Sequence, residues 1–193
     1  MITFVMTVYD EPLEMVARQV DKIRILYPNS TVVLFYDGVS THPIPNVIHV
    51  NHGQHLKTRY DAGKWMHLWL SAFLENSSDP YMLKIDPDTE LIQPIANLPV
   101  GEAVFGSVRI FYVGRTRYFR IHGGGCGYSR SMVEKLVTNR WFLSTEFINN
   151  LRFLDQEDVM LAHVIERERL NCIDHIEFSC GRPITPKTAV AHR

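Results

Sequence analysis

Tyr81-Met82-Leu83-Lys84-Ile85-Asp86-Pro87-Asp88 is the stretch on which the reading of this chain turns. Five β-prone, mostly apolar residues run into two carboxylates separated by a proline, the pattern of a buried strand that stops at a turn. Residues i and i+2 of an extended strand face the same side. Asp86 and Asp88 are therefore expected to point at one site. Pro87 has no N–H to donate and helps end the ladder. Two hard oxygen donors suit Mg²⁺ or Mn²⁺, above all beside a phosphate. A lone D-x-D is also what an Asx-rich surface turn looks like, so its surroundings must decide.

Working outward, the same arrangement recurs. Residues 2–8 are β-prone and end at Asp10-Glu11-Pro12, where Asp10 is placed to cap a helix that Pro12 helps start. Leu13, Val16, Ala17, Val20, Ile23 and Leu26 follow at helical spacing. Residues 31–36 form a second apolar strand closed by Asp37-Gly38, and a short strand follows near residues 47–50. Ala62, Trp65, Met66, Trp69, Ala72 and Phe73 mark the next helix, which stops at Asn76-Ser77-Ser78-Asp79-Pro80. Trp65 and Trp69, four apart on that stripe, read as core. Alternation of strands and helices implies a mostly parallel, doubly wound α/β sheet. Ligands of such sheets bind beyond the carboxyl ends of the strands, which is where Asp10, Asp37 and Asp86 fall.

The second half is less regular. Residues 103–109 and 118–122 read as strands, and Gly123-Gly124-Gly125-Cys126-Gly127 as a turn-rich loop. Ser131-Met132-Val133-Glu134 has capping-box spacing. Asp155-Gln156-Glu157-Asp158 opens a further helix to about Arg167. No internal repeat or long linker interrupts the 193 residues, which suit one domain with a sizeable core.

Composition narrows the function classes. At 46% hydrophobic and 21% charged residues the chain is an ordinary globular one. Its net charge of −1 offers no broad basic field for nucleic acid, so phosphates on a substrate call for a metal ion or a few placed cations. Cys126, Cys172 and Cys180 form neither a disulfide framework nor a CxxC zinc pair. The opening residues read as a strand and not as a signal peptide, and no run approaches the ~18 apolar residues of a membrane span. A cytoplasmic setting is the expectation.

The apolar strand ending in Asp86-Pro87-Asp88-Thr89 resembles the D-x-D segment of GT-A glycosyltransferases. The resemblance extends in order along the chain. Gly123-Gly124-Gly125-Cys126-Gly127-Tyr128-Ser129-Arg130 is similar to the family's glycine-rich segment before a helix, and Asp155-Gln156-Glu157-Asp158-Val159 to its x-E-D motif. His192 lies where many members place a third metal ligand. The resemblance implies a minimal, single-domain GT-A fold over residues 1–193, Rossmann-like, with a mostly parallel central sheet flanked by helices. Residues 1–90 would form the nucleotide-binding half and 91–193 the acceptor and catalytic half. It implies a hexosyltransferase that uses a nucleotide-diphosphate sugar, a UDP-hexose first since uracil is the commonest donor base in the family, an acceptor hydroxyl and Mn²⁺ or Mg²⁺.

The residue roles follow from the same resemblance. Asp86, Asp88 and His192 would hold the metal, His192 as an apolar tail at residues 189–191 packs down. Thr7, Tyr9, Asp10 and Asp37, with the cations Arg59 and Lys64, would bind the nucleotide. Gly124 and Gly125 would meet donor or acceptor sugar, for glycine lets backbone approach a ligand closely. Asp158 would be the general base if the transfer inverts, the reading leaned to here, and would only orient substrate if it retains; Glu157 would orient the acceptor or the loop, since neighbours on a helix point in different directions. Asp158 also suits the positive end of its helix for purely local reasons, and both roles are compatible. Cys126 reads as packing. The run His49, His52, His55 straddles a strand end and a loop, and reads as a polar loop sooner than as zinc.

Two alternatives come from other classes. A sugar-nucleotide-forming nucleotidyltransferase shares the fold logic but wants a basic, glycine-rich loop after the first strand, where this chain has Tyr9-Asp10-Glu11-Pro12. A non-catalytic sugar- or nucleotide-binding module would not need Asp86, Asp88, Asp158 and His192 together. A P-loop enzyme is excluded, since no GxxxxGK[ST] occurs.

Overall fold

The computed structural model describes residues 1–38, 41–53, 62–113, 116–140 and 157–192. Nine strands and four helices lie among them. In chain order they are β1 Ile2–Val8, α1 Leu13–Leu26, β2 Thr31–Tyr36, β3 Ile48–Asn51, α2 Ala62–Asn76, β4 Tyr81–Ile85, β5 Glu90–Leu91, β6 Val104–Val113, β7 Thr116–Ser129, α3 Arg130–Val137, α4 Glu157–Glu168, β8 Cys172–Asp174 and β9 Val190–Ala191.

Seven strands share one sheet in the order β3-β2-β1-β4-β7-β6-β8, and β5 pairs with β9 in a second, two-stranded sheet. The pairs β3–β2, β2–β1, β1–β4 and β6–β8 are parallel, while β7 runs antiparallel to both β4 and β6. The sheet is thus mostly parallel, with one reversed strand. Strand β1 alternates faces at a period of two. Ile2, Phe4, Met6 and Val8 pack with Val16, Val20 and Ile23 of α1, and Val5 packs with α2, α3 and α4 on the other side. Trp65 and Trp69 are 2% and 1% exposed inside that second core, which settles them as packing residues.

The small sheet positions the end of the chain. Leu91 pairs with Val190 and Glu90 with Ala191, so residues 189–191 lie buried beside the strand that follows Asp88. Glu177 clamps the preceding segment. Its carboxylate accepts from the backbone N–H of Ala96 at 3.1 Å and from the side-chain amide of Asn97 at 3.3 Å. Among the described residues no helix is long and apolar enough to cross a membrane.

Local signals mislead in four places. The glycine run is no loop: Gly123 to Gly127 lie within β7. Their missing side chains leave room for neighbours in place of turning the chain. Helix α3 is capped by Ser129, whose side chain accepts from the Met132 N–H at 3.3 Å, two residues before the Ser131 that the spacing had marked. Helix α1 starts at Leu13 behind Pro12 with no side-chain cap. Asp10 is too far upstream, and Glu11 takes the Tyr9 N–H at 2.6 Å. The fourth place is Asp86-Pro87-Asp88. Strand β4 ends at Ile85, and the three residues form a turn closed by Thr89 N–H to the Asp86 carbonyl at 3.0 Å. The carboxylates meet through a turn and not through strand alternation.

Candidate active site

At the carboxyl rim of β1 and β4, an open cleft of about 460 Å³ is lined by Tyr9, Lys84, Asp86, Asp88, Arg120, His122, Gly124, Glu157, Asp158 and His192, among others. Asp86, Asp88 and His192 each offer one ligand atom, and these atoms all lie within 4.8 Å of one another. His192 Nε2 stands 3.1 Å from Asp88 Oδ1 across 104 residues of sequence. The donor chemistry fits a divalent cation. Two carboxylates supply hard oxygens, and one imidazole suits manganese as well as softer metals.

Gly124 explains how the histidine fits. A Cβ at this position would overlap the His192 ring, and one on Gly125 would fall 2.9 Å from the Val190 side chain. The tail lies on bare backbone. His192 Nδ1 is buried with no hydrogen-bond partner, so packing on Gly124 and the Asp88 contact hold the ring. Gly124→Ala is therefore expected to weaken metal binding markedly, because the ring must move. Gly123→Ala should leave it near wild type, since the nearest atom to a Cβ there is 3.7 Å away. Titration of each variant with Mn²⁺, followed by electron paramagnetic resonance, checks the contrast; equal affinities would disprove it.

Beneath the metal candidates lies a buried cation. Lys84, 3% exposed, places Nζ 2.7 Å from Asp86 Oδ1, 3.0 Å from the Gly123 carbonyl and 3.7 Å from Glu157 Oε2. Burial works against its charge, yet the Asp86 and Glu157 carboxylates lift its pKa well above the ordinary lysine value. Burial alone would raise Asp86, but the Lys84 ammonium, with the Thr7 hydroxyl at 2.8 Å, holds that carboxyl below its usual range. One Asp86 oxygen is thus committed to the protein.

Glu157 and Asp158 begin α4 and part company, as adjacent helical residues must. Glu157 turns into the buried chain, where it accepts from the Tyr9 hydroxyl at 2.9 Å, and Tyr9 in turn accepts from Trp65 Nε1 at 3.0 Å. Asp158 pairs with Arg120 at 3.2 Å. Burial raises both carboxyls, against the pull of Lys84 on Glu157 and of Arg120 on Asp158. His122 accepts the Gly124 N–H on Nδ1 at 3.2 Å, so the neutral ring carries its proton on Nε2. Burial and the neighbouring His192, Arg109 and Arg120 draw its pKa down to about 4.

The structure thus brings together Asp86, Asp88, His192, Glu157, Asp158, Thr7, Tyr9 and Gly124. Asp37 is buried at the end of β2, its N–H on the Val8 carbonyl at 2.9 Å. Asp10 is exposed and Glu11 lines the cleft in its place. Lys64 is exposed on the first turn of α2. Arg59, His55 and Asp155 lie outside the described residues. His49 is engaged by Tyr36 at 3.1 Å and the Ile44 carbonyl at 3.0 Å, and His52 rests against the Phe35 ring. Cys126 is buried 3.2 Å from the Tyr128 hydroxyl, its thiol pushed up to about 12 by burial, as a packing residue should be. Lys84, Arg120 and His122 had escaped notice. For Lys84 a signal existed, a lone charge inside an apolar five-residue strand.

No protein-family model matches the chain, and no curated protein matches it in sequence. Solved structures do match in fold. The galactosyltransferase LgtC, crystallised with donor and acceptor sugar analogues, superposes with a TM-score of 0.66 at 10% identity, covering 98% of this chain and 86% of that one. A structure of an active-site mutant of LgtC gives 0.64 at 8% identity over the same shares. At such identities the likeness is one of architecture: over nearly its whole length this chain has the GT-A type of fold, a mostly parallel Rossmann-like sheet flanked by helices.

Proposed function

We propose that the chain is a metal-dependent glycosyltransferase that moves a hexose from a nucleotide diphosphate, UDP first among candidates, onto an acceptor hydroxyl. One observation carries the reading. Asp86, Asp88 and His192 converge at the carboxyl rim of a sheet whose architecture is shared with a galactosyltransferase. In this reading residues 1–90 bind the nucleotide, through Thr7, Tyr9, Asp10, Asp37, Arg59 and Lys64, and residues 91–193 supply the acceptor side. A cytoplasmic setting belongs to the same proposal, supported by three free cysteines.

Asp86, Asp88 and His192 Nε2 would hold Mn²⁺ or Mg²⁺. When bound, such an ion supplies positive charge beside the departing diphosphate. Lys84 and Thr7 orient Asp86 by occupying one of its oxygens. The sugar lies against Gly124, with Gly125 shaping the strand beneath the tail. Asp158 takes the proton of the attacking hydroxyl. Glu157, tied to Tyr9 and Lys84, keeps α4 in place.

Calorimetry with UDP and GDP, before and after chelation, tests the metal's part. Nucleotide is expected to bind only with Mn²⁺ or Mg²⁺ present, and Asp88→Ala should lose that dependence while folding normally. Equal affinity after chelation removes the argument. A panel of sugar nucleotides separates the classes. Metal-dependent sugar release supports the transferase, synthesis of a sugar nucleotide with release of pyrophosphate supports the nucleotidyltransferase, and binding without turnover supports the module.

A further inference from the structure

Strand β4 ends at Ile85, opposite Gly125. Residues 116–124 of β7 and 108–113 of β6 therefore run on past the carboxyl rim as a hairpin beside the cleft. The sheet order puts this hairpin on the opposite side of the Asp86/Asp88 turn from β1, β2 and β3. Its chemistry is one-sided. Between Glu102 and Glu134 the sequence holds Arg109, Arg115, Arg117, Arg120 and Arg130 and no acidic residue, in a chain whose net charge is −1.

Two of these arginines stand directly across the ladder, Arg109 of β6 against Arg120 of β7. Like charges at facing positions repel, so each needs an anion. Arg120 has one, Asp158 at 3.2 Å. The Arg109 guanidinium makes no hydrogen bond or ion pair among the described residues, and the residue is only partly buried. Its guanidinium is nevertheless held in place. It lies where a Cβ of residue 181 would be, and Gly181 has a φ of +61°. The N–H of the same glycine donates to the His192 carbonyl at 2.5 Å. A bare glycine hydrogen-bonded to the metal-site tail thus makes room for an unpaired cation within electrostatic reach of His122, which lines the cleft.

We propose that Arg109, with Arg120 facing it, is the recognition site for an anionic group on the acceptor, a carboxylate or phosphate carried by a hydroxyl-bearing sugar. The assignment to the acceptor rests on the glycosyltransferase reading above. The anion site itself stands on the hairpin geometry. The nucleotide is proposed on the β1–β2 side of the metal turn, whereas Arg109 lies across it on β6. A guanidinium fork suits both carboxylate and phosphate oxygens.

Binding of small probes to the full chain without metal tests the site independently of turnover. Methyl β-glucuronide and glucose 6-phosphate serve as carboxylate and phosphate probes, and methyl β-glucoside as the neutral control. The charged probes are expected to bind about tenfold or more tighter than the neutral one, as one charge-assisted contact allows. Which charged probe binds tighter identifies the anion. Arg109→Gln should erase the preference and Arg109→Lys should keep part of it, both leaving Mn²⁺-dependent UDP binding unchanged. Equal binding of charged and neutral probes, or an Arg109→Gln variant that keeps the preference, overturns the proposal. So does an Arg109→Gln variant that loses UDP, which would give Arg109 to the donor. A wild-type protein that binds the charged probes but never UDP sinks the transferase reading and leaves the anion site standing.

Discussion

Asp158→Asn is expected to lower turnover by about 10²–10⁴-fold, the loss typical of a general base, while nucleotide affinity stays near wild type. The expectation runs from geometry to chemistry. On the proposed function, Asp86, Asp88 and His192 would mark the side on which the diphosphate departs, and that side would need no protein acid with a bound ion to carry the charge. The attacking hydroxyl must still lose its proton. Among the two carboxylates that begin α4, Glu157 is held by Tyr9 and Lys84, so Asp158 at the cleft is the one left to accept it. Its surroundings suit the task. Burial raises its carboxyl, which makes it a stronger base than an exposed aspartate, and Arg120 at 3.2 Å opposes that shift. Asparagine preserves the size and can still meet Arg120 through its carbonyl, so folding should change little. Steady-state kinetics with nucleotide calorimetry read both quantities, and the product should carry inverted anomeric configuration. Near-normal turnover, or a product with the donor's own configuration, would remove Asp158 from this role.

Lys84→Met has the largest expected effect on stability. The side chain is 4% exposed and lies between two carboxylates. Methionine fills similar volume but leaves the half-buried Asp86 and Glu157 without their cation. Breaking a buried pair by removing one partner costs about 3–5 kcal/mol. The pH dependence has a definite sign. In the wild type Lys84 depresses Asp86 and restrains the rise of Glu157. The Asp86 contribution is present above the carboxyl's unfolded-state value and disappears as pH falls through its lowered folded value. Glu157, raised in the fold, costs stability as pH climbs through its own window, and more so once Lys84 is gone. The Asp86 contribution is present in full at both pH values, so it is the Glu157 cost that makes the deficit of Lys84→Met larger at pH 8 than at pH 5. Urea denaturation at the two pH values measures it. A deficit under about 1 kcal/mol, where a typical substitution falls, or one that does not grow with pH, would show that Lys84 does not hold this charge balance.

The sequence by itself determined the parts of this protein that follow from neighbouring residues. The apolar runs at 2–8, 31–36 and 81–85 could only be buried strands, and the helical stripe through Trp65 and Trp69 could only face a core. The acidic groups at Asp37 and Asp86 were bound to gather at one rim, because parallel strands end on the same side. The order of D-x-D, glycine run, Glu157-Asp158 and His192 was enough to suggest the GT-A architecture.

What only the tertiary structure decided are the contacts between distant segments. Residues 123–127, four of them glycine, looked like a loop, since glycine locally favours turns. They are strand because residues 125–127 pair with β4 and β6, and Gly124, Gly125 and Gly127 are bare because the His192 ring, the Val190 side chain and the Phe105 ring occupy the space their side chains would fill. Asp86 and Asp88 looked like strand neighbours, yet it is the Thr89 turn that joins them and the β5–β9 pairing that brings His192 across. Lys84 between Asp86 and Glu157, and Arg109 cradled by Gly181, join residues more than seventy positions apart. No local period records them, because each depends on where the packed layers place the end of one segment against the middle of another.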